Sequence, residues 1–156
     1  MVLDWFRPTR QADQWLSVIT LGELRRGVTL LRRRGDNPRA DRLDAAISDI
    51  ESRYSDCILP VTADVARTWS RLSAPSIDMA DGLIAATALT HGLAVVTRNI
   101  EDFEDTAALI VNPFAIRSAG VEGAQELFGG QGGGEGSFAD LGFDLGPDGF
   151  HVGVVG

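Results

Sequence analysis

The stretch SIDMADGLIAATAL, residues 76–89, sets two carboxylates, Asp78 and Asp81, three residues apart at the head of an apolar run. The run reads as a buried helix from about Met79 to His91, with Gly92 as its C-terminal stop. Carboxylates are costly to bury unless they are paired or coordinate a metal. Asp78 stands where an N-cap belongs, and Asp81 then falls at the N3 position, as in a capping box with Asp in place of Glu. Either both residues only start the helix, or one of them does chemistry.

Working outward, strands and helices alternate. LAVVT (93–97) follows the helix as a strand, and after a short acidic helical turn ALIVN (108–112) reads as another. Upstream, QWLSVIT (14–20) is β-branched and apolar and reads as a short buried strand. Leu21, Leu24, Val28 and Leu31 then share one helical stripe that Gly35 ends. Leu43, Ile47, Ile50 and Tyr54 form a second stripe, CILPV (57–61) is a strand, and Thr62 caps a helix whose stripe is Val65, Trp69 and Leu72. This alternation predicts an α/β fold with a largely parallel sheet.

The 156 residues suffice for one domain with a real core. There is no apolar run of membrane-spanning length, and the start, MVLDWFRPTR, lacks the charged-then-apolar pattern of a secretory signal. The single cysteine, Cys57, excludes an internal disulfide or a zinc cluster and reads as a core residue. A cytoplasmic protein is the simplest expectation. All 14 basic residues are arginine, and the net charge of −8 argues against general nucleic-acid coating, though not against a local basic face. Composition breaks near Pro113. Residues 115–156 hold 13 of the 18 glycines and read as a mostly disordered acidic tail, in which FHVGVVG could at most pair as a stray strand. The expected organisation is therefore a domain over 1–114 and a dispensable tail over 115–156.

In an α/β sheet, ligands bind at the strand C-terminal edge. Three acidic residues are expected there: Glu23 in the first turn of the helix after QWLSVIT, Asp81, and Asp102 in the loop TRNIEDF after LAVVT. Each has an ordinary explanation. A helix dipole favours Glu23, a capping box accounts for Asp81, and Asp102 could start a turn. Their joint pattern is more telling. His91 ends a helix and His151 lies in the tail, so a histidine-based triad has no good members. Clustered carboxylates supply the hard oxygen ligands of Mg²⁺ or Mn²⁺, ions that activate water and neutralise a phosphodiester.

SVITLGELRRGV, DMADGLIAATAL with HGLAVVTRNIEDFE, and the closing VNPF closely resemble PIN-domain ribonucleases, specifically VapC-type toxins of toxin–antitoxin pairs. The resemblance covers about residues 1–114. It implies a PIN-like three-layer sandwich with a mostly parallel central sheet. It also implies a small cytoplasmic Mg²⁺- or Mn²⁺-dependent endoribonuclease, often homodimeric, with RNA as substrate and an antitoxin protein as inhibitor. Carried over by position, Glu23, Asp81 and Asp102 become the catalytic and metal-binding carboxylates. Thr97 and Asn99 become supporting residues. Asp81 is then the metal-site residue and Asp78 the cap.

The resemblance departs at the N-terminus. Family members start with a strand ending in DTNV or similar, whose aspartate is the first metal ligand, and no such motif occurs here. VLDWFRPTRQADQWLSVIT aligns without a gap onto the helix and loop before the family's second strand, which makes Asp4 a helix-surface residue. The absent strand would lie at the centre of the sheet, between WLSVIT and LAVVT. A truncated or mis-started reading frame, or a decaying gene, would account for both ends. The two inner edges would close on each other or take a substitute strand from the tail, and the nuclease would be weak or inactive. The alternative function is a non-catalytic remnant that binds an antitoxin or another toxin subunit. A phosphatase-like hydrolase would need an aspartate motif that is absent. The arginines at 25, 26, 32, 33 and 34 could contact RNA phosphates or form a solvated face.

Overall fold

The computed structural model describes residues 14–72 and 76–112 and the backbone of a strand at 154–155. The expectations for Asp4 and for the rest of the tail lie outside the described residues. Strand β1 is Gln14–Ser17, shorter than the β-branched run suggests, and helix α1 begins at once at Val18 and runs to Arg33. Ser17 explains the switch. Its extended backbone ends the strand, and its hydroxyl accepts a hydrogen bond from the Ile19 amide, an N-cap that outweighs the strand preference of Val18, Ile19 and Thr20. Glu23 consequently sits in the second turn, so the helix dipole does little to explain it.

Gly35, at φ +82°, turns the chain out of α1. Helix α2, Asn37–Arg53, opens under the Asp36 cap with a proline in its first turn. A 3₁₀ turn over Ser55–Cys57 and the two-residue strand β2, Ile58–Leu59, replace the longer strand expected there, and Cys57 is only half-buried. Helix α3, Ala63–Trp69, is capped by Thr62 as predicted. It ends before Leu72, and its Trp69 remains partly exposed. Helix α4, Met79–His91, has the predicted bounds: Asp78 caps it through the Ala80 amide at 2.9 Å, and Gly92 closes it in the left-handed region. Strands β3, Ala94–Val96, and β4, Leu109–Val111, complete the series.

The sheet order is β2-β1-β5-β3-β4, where β5 is Val154–Val155. Strands β1 and β2 are parallel, as are β3 and β4. Strand β5 is antiparallel to both β1 and β3, which makes those two parallel to each other. A short strand from the tail thus stands at the sheet centre, between β1 and β3, in reverse direction. Of the two outcomes expected for these edges, the strand from the tail is the one observed, with β5 paired to both.

Neighbouring residues of β1 show how the sheet is covered. Leu16 packs with Ile50 and Tyr54 of the α2 end, whereas Trp15 packs with Ile84, Ala85 and Ala88 of α4. Successive side chains of a strand face opposite ways, so α2 covers one face and α4 the other, the three-layer arrangement of a PIN-like fold. Tyr54 adds a polar tie, its phenol donating to Gln14 Oε1 at 3.2 Å with both side chains buried. A third apolar cluster joins Leu24 and Val28 of α1 to Ala40, Leu43 and Ile47 of α2. Among the described residues, no helix is long and apolar enough to cross a membrane.

Candidate active site

Since β1 and β3 are parallel, Ser17 and Thr97 mark the same edge of the sheet, and three connections bring acidic residues toward it. Helix α1 leaves β1 at Ser17 and carries a half-buried Glu23 on its second turn. Helix α4 joins β3 through only Gly92 and Leu93, so it must fold back along the sheet. Its N-terminus, with Asp81 in the first turn, then comes to the edge where β3 ends. The loop after β3 carries Asp102.

The three side chains differ in environment. Asp81 is only 9% exposed, and it is the one acidic side chain among the buried described residues. Asp102 is exposed but oriented. The Thr97 hydroxyl accepts the Asn99 amide at 3.0 Å, and the Asn99 side-chain amide donates to Asp102 Oδ2. Phe103, fully buried against the α4 cluster, anchors the following residue, and its amide closes a turn on the Ile100 carbonyl at 2.9 Å. Thr97 is itself 2% exposed, and its amide bonds to the Val111 carbonyl at 3.1 Å. Thr97 and Asn99 therefore act on the loop as a relay from the sheet to Asp102.

Sequence reasoning passed over Thr20. It is 2% exposed, and its hydroxyl has no hydrogen-bond partner among the described residues. Once α1 is known to start at Val18, Thr20 and Glu23 are three apart and share a helix face. The signal that would have revealed the pair is Ser17, read as a cap instead of as strand.

By type, this oxygen donor set suits a hard cation such as Mg²⁺ or Mn²⁺. By spacing it does not form a ready centre: among the described residues, no three His, Cys, Asp or Glu side chains stand close enough to hold a metal ion. What the edge offers as it stands is one buried carboxylate and one carboxylate held in place by an amide.

The fold has clear relatives. The PIN domain family matches residues 4–109. Toxin FitB of Neisseria gonorrhoeae is 34% identical over 120 residues, covering 72% of this chain and 84% of that protein. VapC ribonuclease Y4jK of Sinorhizobium fredii is 33% identical over 123 residues, with the same coverage of 72% and 84%. The crystal structure of FitAcB from N. gonorrhoeae superposes with a TM-score of 0.60 at 33% identity, over 72% of this chain and 84% of that one. The structure of FitAB bound to an IR36 DNA fragment gives 0.58 at 29% identity, over 72% and 81%. The chain belongs to the PIN-domain family, among the toxin members that FitB and the VapC ribonuclease represent.

Proposed function

We propose that this chain is a metal-dependent endoribonuclease of the VapC toxin type that hydrolyses RNA phosphodiesters weakly. One observation supports the reading: Asp81, in the first turn of α4, is buried although Asp78 already caps that helix, and in the loop after β3 Thr97 and Asn99 hold Asp102. Burying a carboxylate costs free energy that capping does not require, because Asp78 already fills the cap. Glu23, Asp81 and Asp102 are the residues assigned to Mg²⁺ or Mn²⁺, which supplies an activated water and neutralises phosphate charge. The protein's own part is to present these oxygens and to keep Asp102 from swinging away. The weakness is what the donor arrangement supports: among the described residues, no three such side chains form a ready group for a metal ion.

A cognate antitoxin is the proposed partner, by analogy with relatives solved as FitAB and FitAcB assemblies. A homodimer in the cytoplasm is the working form implied by the family. The donor spacing also favours a second reading, a non-catalytic PIN-like remnant that binds an antitoxin or another toxin subunit.

The experiment is cleavage of a mixed RNA pool by the full chain with Mg²⁺ or Mn²⁺, compared with Asp81→Asn. The nuclease reading expects slow cleavage that chelation abolishes and that the variant loses by about 100-fold or more, in the range seen when a group stabilising a transition state is removed. Cleavage of equal rate in Asp81→Asn would sink the site. No cleavage with either ion, together with stable binding of an antitoxin, would establish the remnant.

A further inference from the structure

The arginines of α1 and of its C-cap, Arg34, divide into two sets. Arg25 ion-pairs with Asp44 and Glu51 of α2 and donates to the Ser48 hydroxyl at 3.3 Å. Arg32 pairs with Asp44 at 2.9 Å and Asp41 at 3.5 Å. These two are spent in fastening α1 to α2. Arg26, Arg33 and Arg34 are exposed and have no ion pair among the described residues. At 3.6 residues per turn they fall on the flank of α1 that also carries Glu23, away from the stripe of Leu24 and Val28 that packs on α2. Leu30, 38% exposed, lies among them.

The helix dipole favours cations in the last turn, which accounts for Arg33 and Arg34 taken alone. It does not account for Arg26 in the middle of the helix. Nor does the overall charge, since a chain at −8 has acidic residues to spare for neutralising a surface trio. A guanidinium presents a fork of donors that matches a phosphate, and an unneutralised row beside a nuclease edge complements a polyanion.

We propose that Arg26, Arg33 and Arg34 hold the phosphate backbone of single-stranded RNA along the outer flank of α1 and lead it to Glu23. The row spans about 10 Å from Arg26 to Arg33 at 1.5 Å per residue, room for more than one phosphate. Leu30 offers an apolar surface to a sugar or base between them. This track rests on the ribonuclease reading of the same edge, and it deepens that reading by naming the residues that take the strand. The ion-paired Arg25 and Arg32 serve only the helix hairpin.

The test is binding of a labelled, mixed-sequence single-stranded RNA oligonucleotide to the full chain in EDTA, titrated at several salt concentrations. The double variant Arg26→Gln/Arg33→Gln is compared with Arg42→Gln/Arg71→Gln, which removes two exposed arginines elsewhere. Gln keeps the helix propensity of Arg, and an unchanged thermal midpoint verifies the fold. The expected result is roughly tenfold weaker binding in the first variant only, with a salt slope shallower by about 1.4, some 0.7 per lost phosphate contact. Equal losses in both variants would mean a diffuse field and overturn the track. Unchanged binding in the first variant would overturn it as well, with the nuclease reading intact. Failure of the unaltered chain to bind RNA would overturn both.

Discussion

Thr20 concentrates the conflict between stability and use at the level of one side chain. Its hydroxyl is buried and without a partner among the described residues, a state that costs roughly 1–3 kcal/mol relative to an apolar group of the same shape. Thr20→Val keeps the branched outline and removes the orphan. The variant is expected to be more stable by about 1 kcal/mol, which raises the thermal midpoint of a chain this size by roughly 2–4 °C. Calorimetry of the two proteins checks this, and a lowered midpoint would show that the hydroxyl is satisfied in solution. Asp81 poses a different question, that of a charge held in a buried place. The sequence placed it correctly at N3 of its helix, since Asp78 and Gly92 are local signals that tertiary contacts did not need to correct. What it could not give was the burial of Asp81, which depends on α4 lying against a sheet assembled from distant segments.

Elements were legible where their punctuation was local. The caps Thr62 and Asp78 and the stops Gly35 and Gly92 all stand where the sequence set them. The errors fall where β-branched residues met a capping serine: Val18, Ile19 and Thr20 read as strand, yet Ser17 and the packing of α1 make them helix. Trp69 is a second instance. Periodicity assigned it to the core stripe of α3, whereas its indole lies over the backbone of Gly82 in α4 and stays 37% exposed. A Cβ at position 82 would come within 2.8 Å of Trp69 Nε1 and 2.9 Å of Cδ1. Gly82→Ala would ordinarily strengthen a helix by up to about 1 kcal/mol. Here the indole must shift and loosen the α3–α4 contact, so the net effect expected is a loss of about 1 kcal/mol, within the usual cost of overpacking. Denaturant unfolding measures it. A gain in stability would mean that the half-exposed indole moves aside freely.

For the whole molecule, the notable feature is the composition of the sheet centre. A centre strand needs partners on both sides, and here a two-residue strand bonds to Gln14 and Trp15 on one side and to Ala94 and Val95 on the other. No sequence signal outside VGVVG singled out this place, because pairing across about 60 residues to β3 and about 140 to β1 leaves no local trace, and the glycine-rich composition pointed away from order. The expectation that residues 115–156 are dispensable therefore has a sharp counter-prediction. Val154→Pro removes an amide from the ladder and sets a ring against the neighbouring strand. Removing residues 154–156 altogether leaves backbone groups of β1 and β3 unpaired at about 1–3 kcal/mol each where they stay buried. Against a total of about 5–15 kcal/mol, two or three such groups take a large share of the stability. Urea unfolding of the full chain, of Val154→Pro and of the chain ending at residue 153 should show midpoints falling in that order. Coincident midpoints for the full chain and the chain ending at residue 153 would mean that β1 and β3 are held without β5.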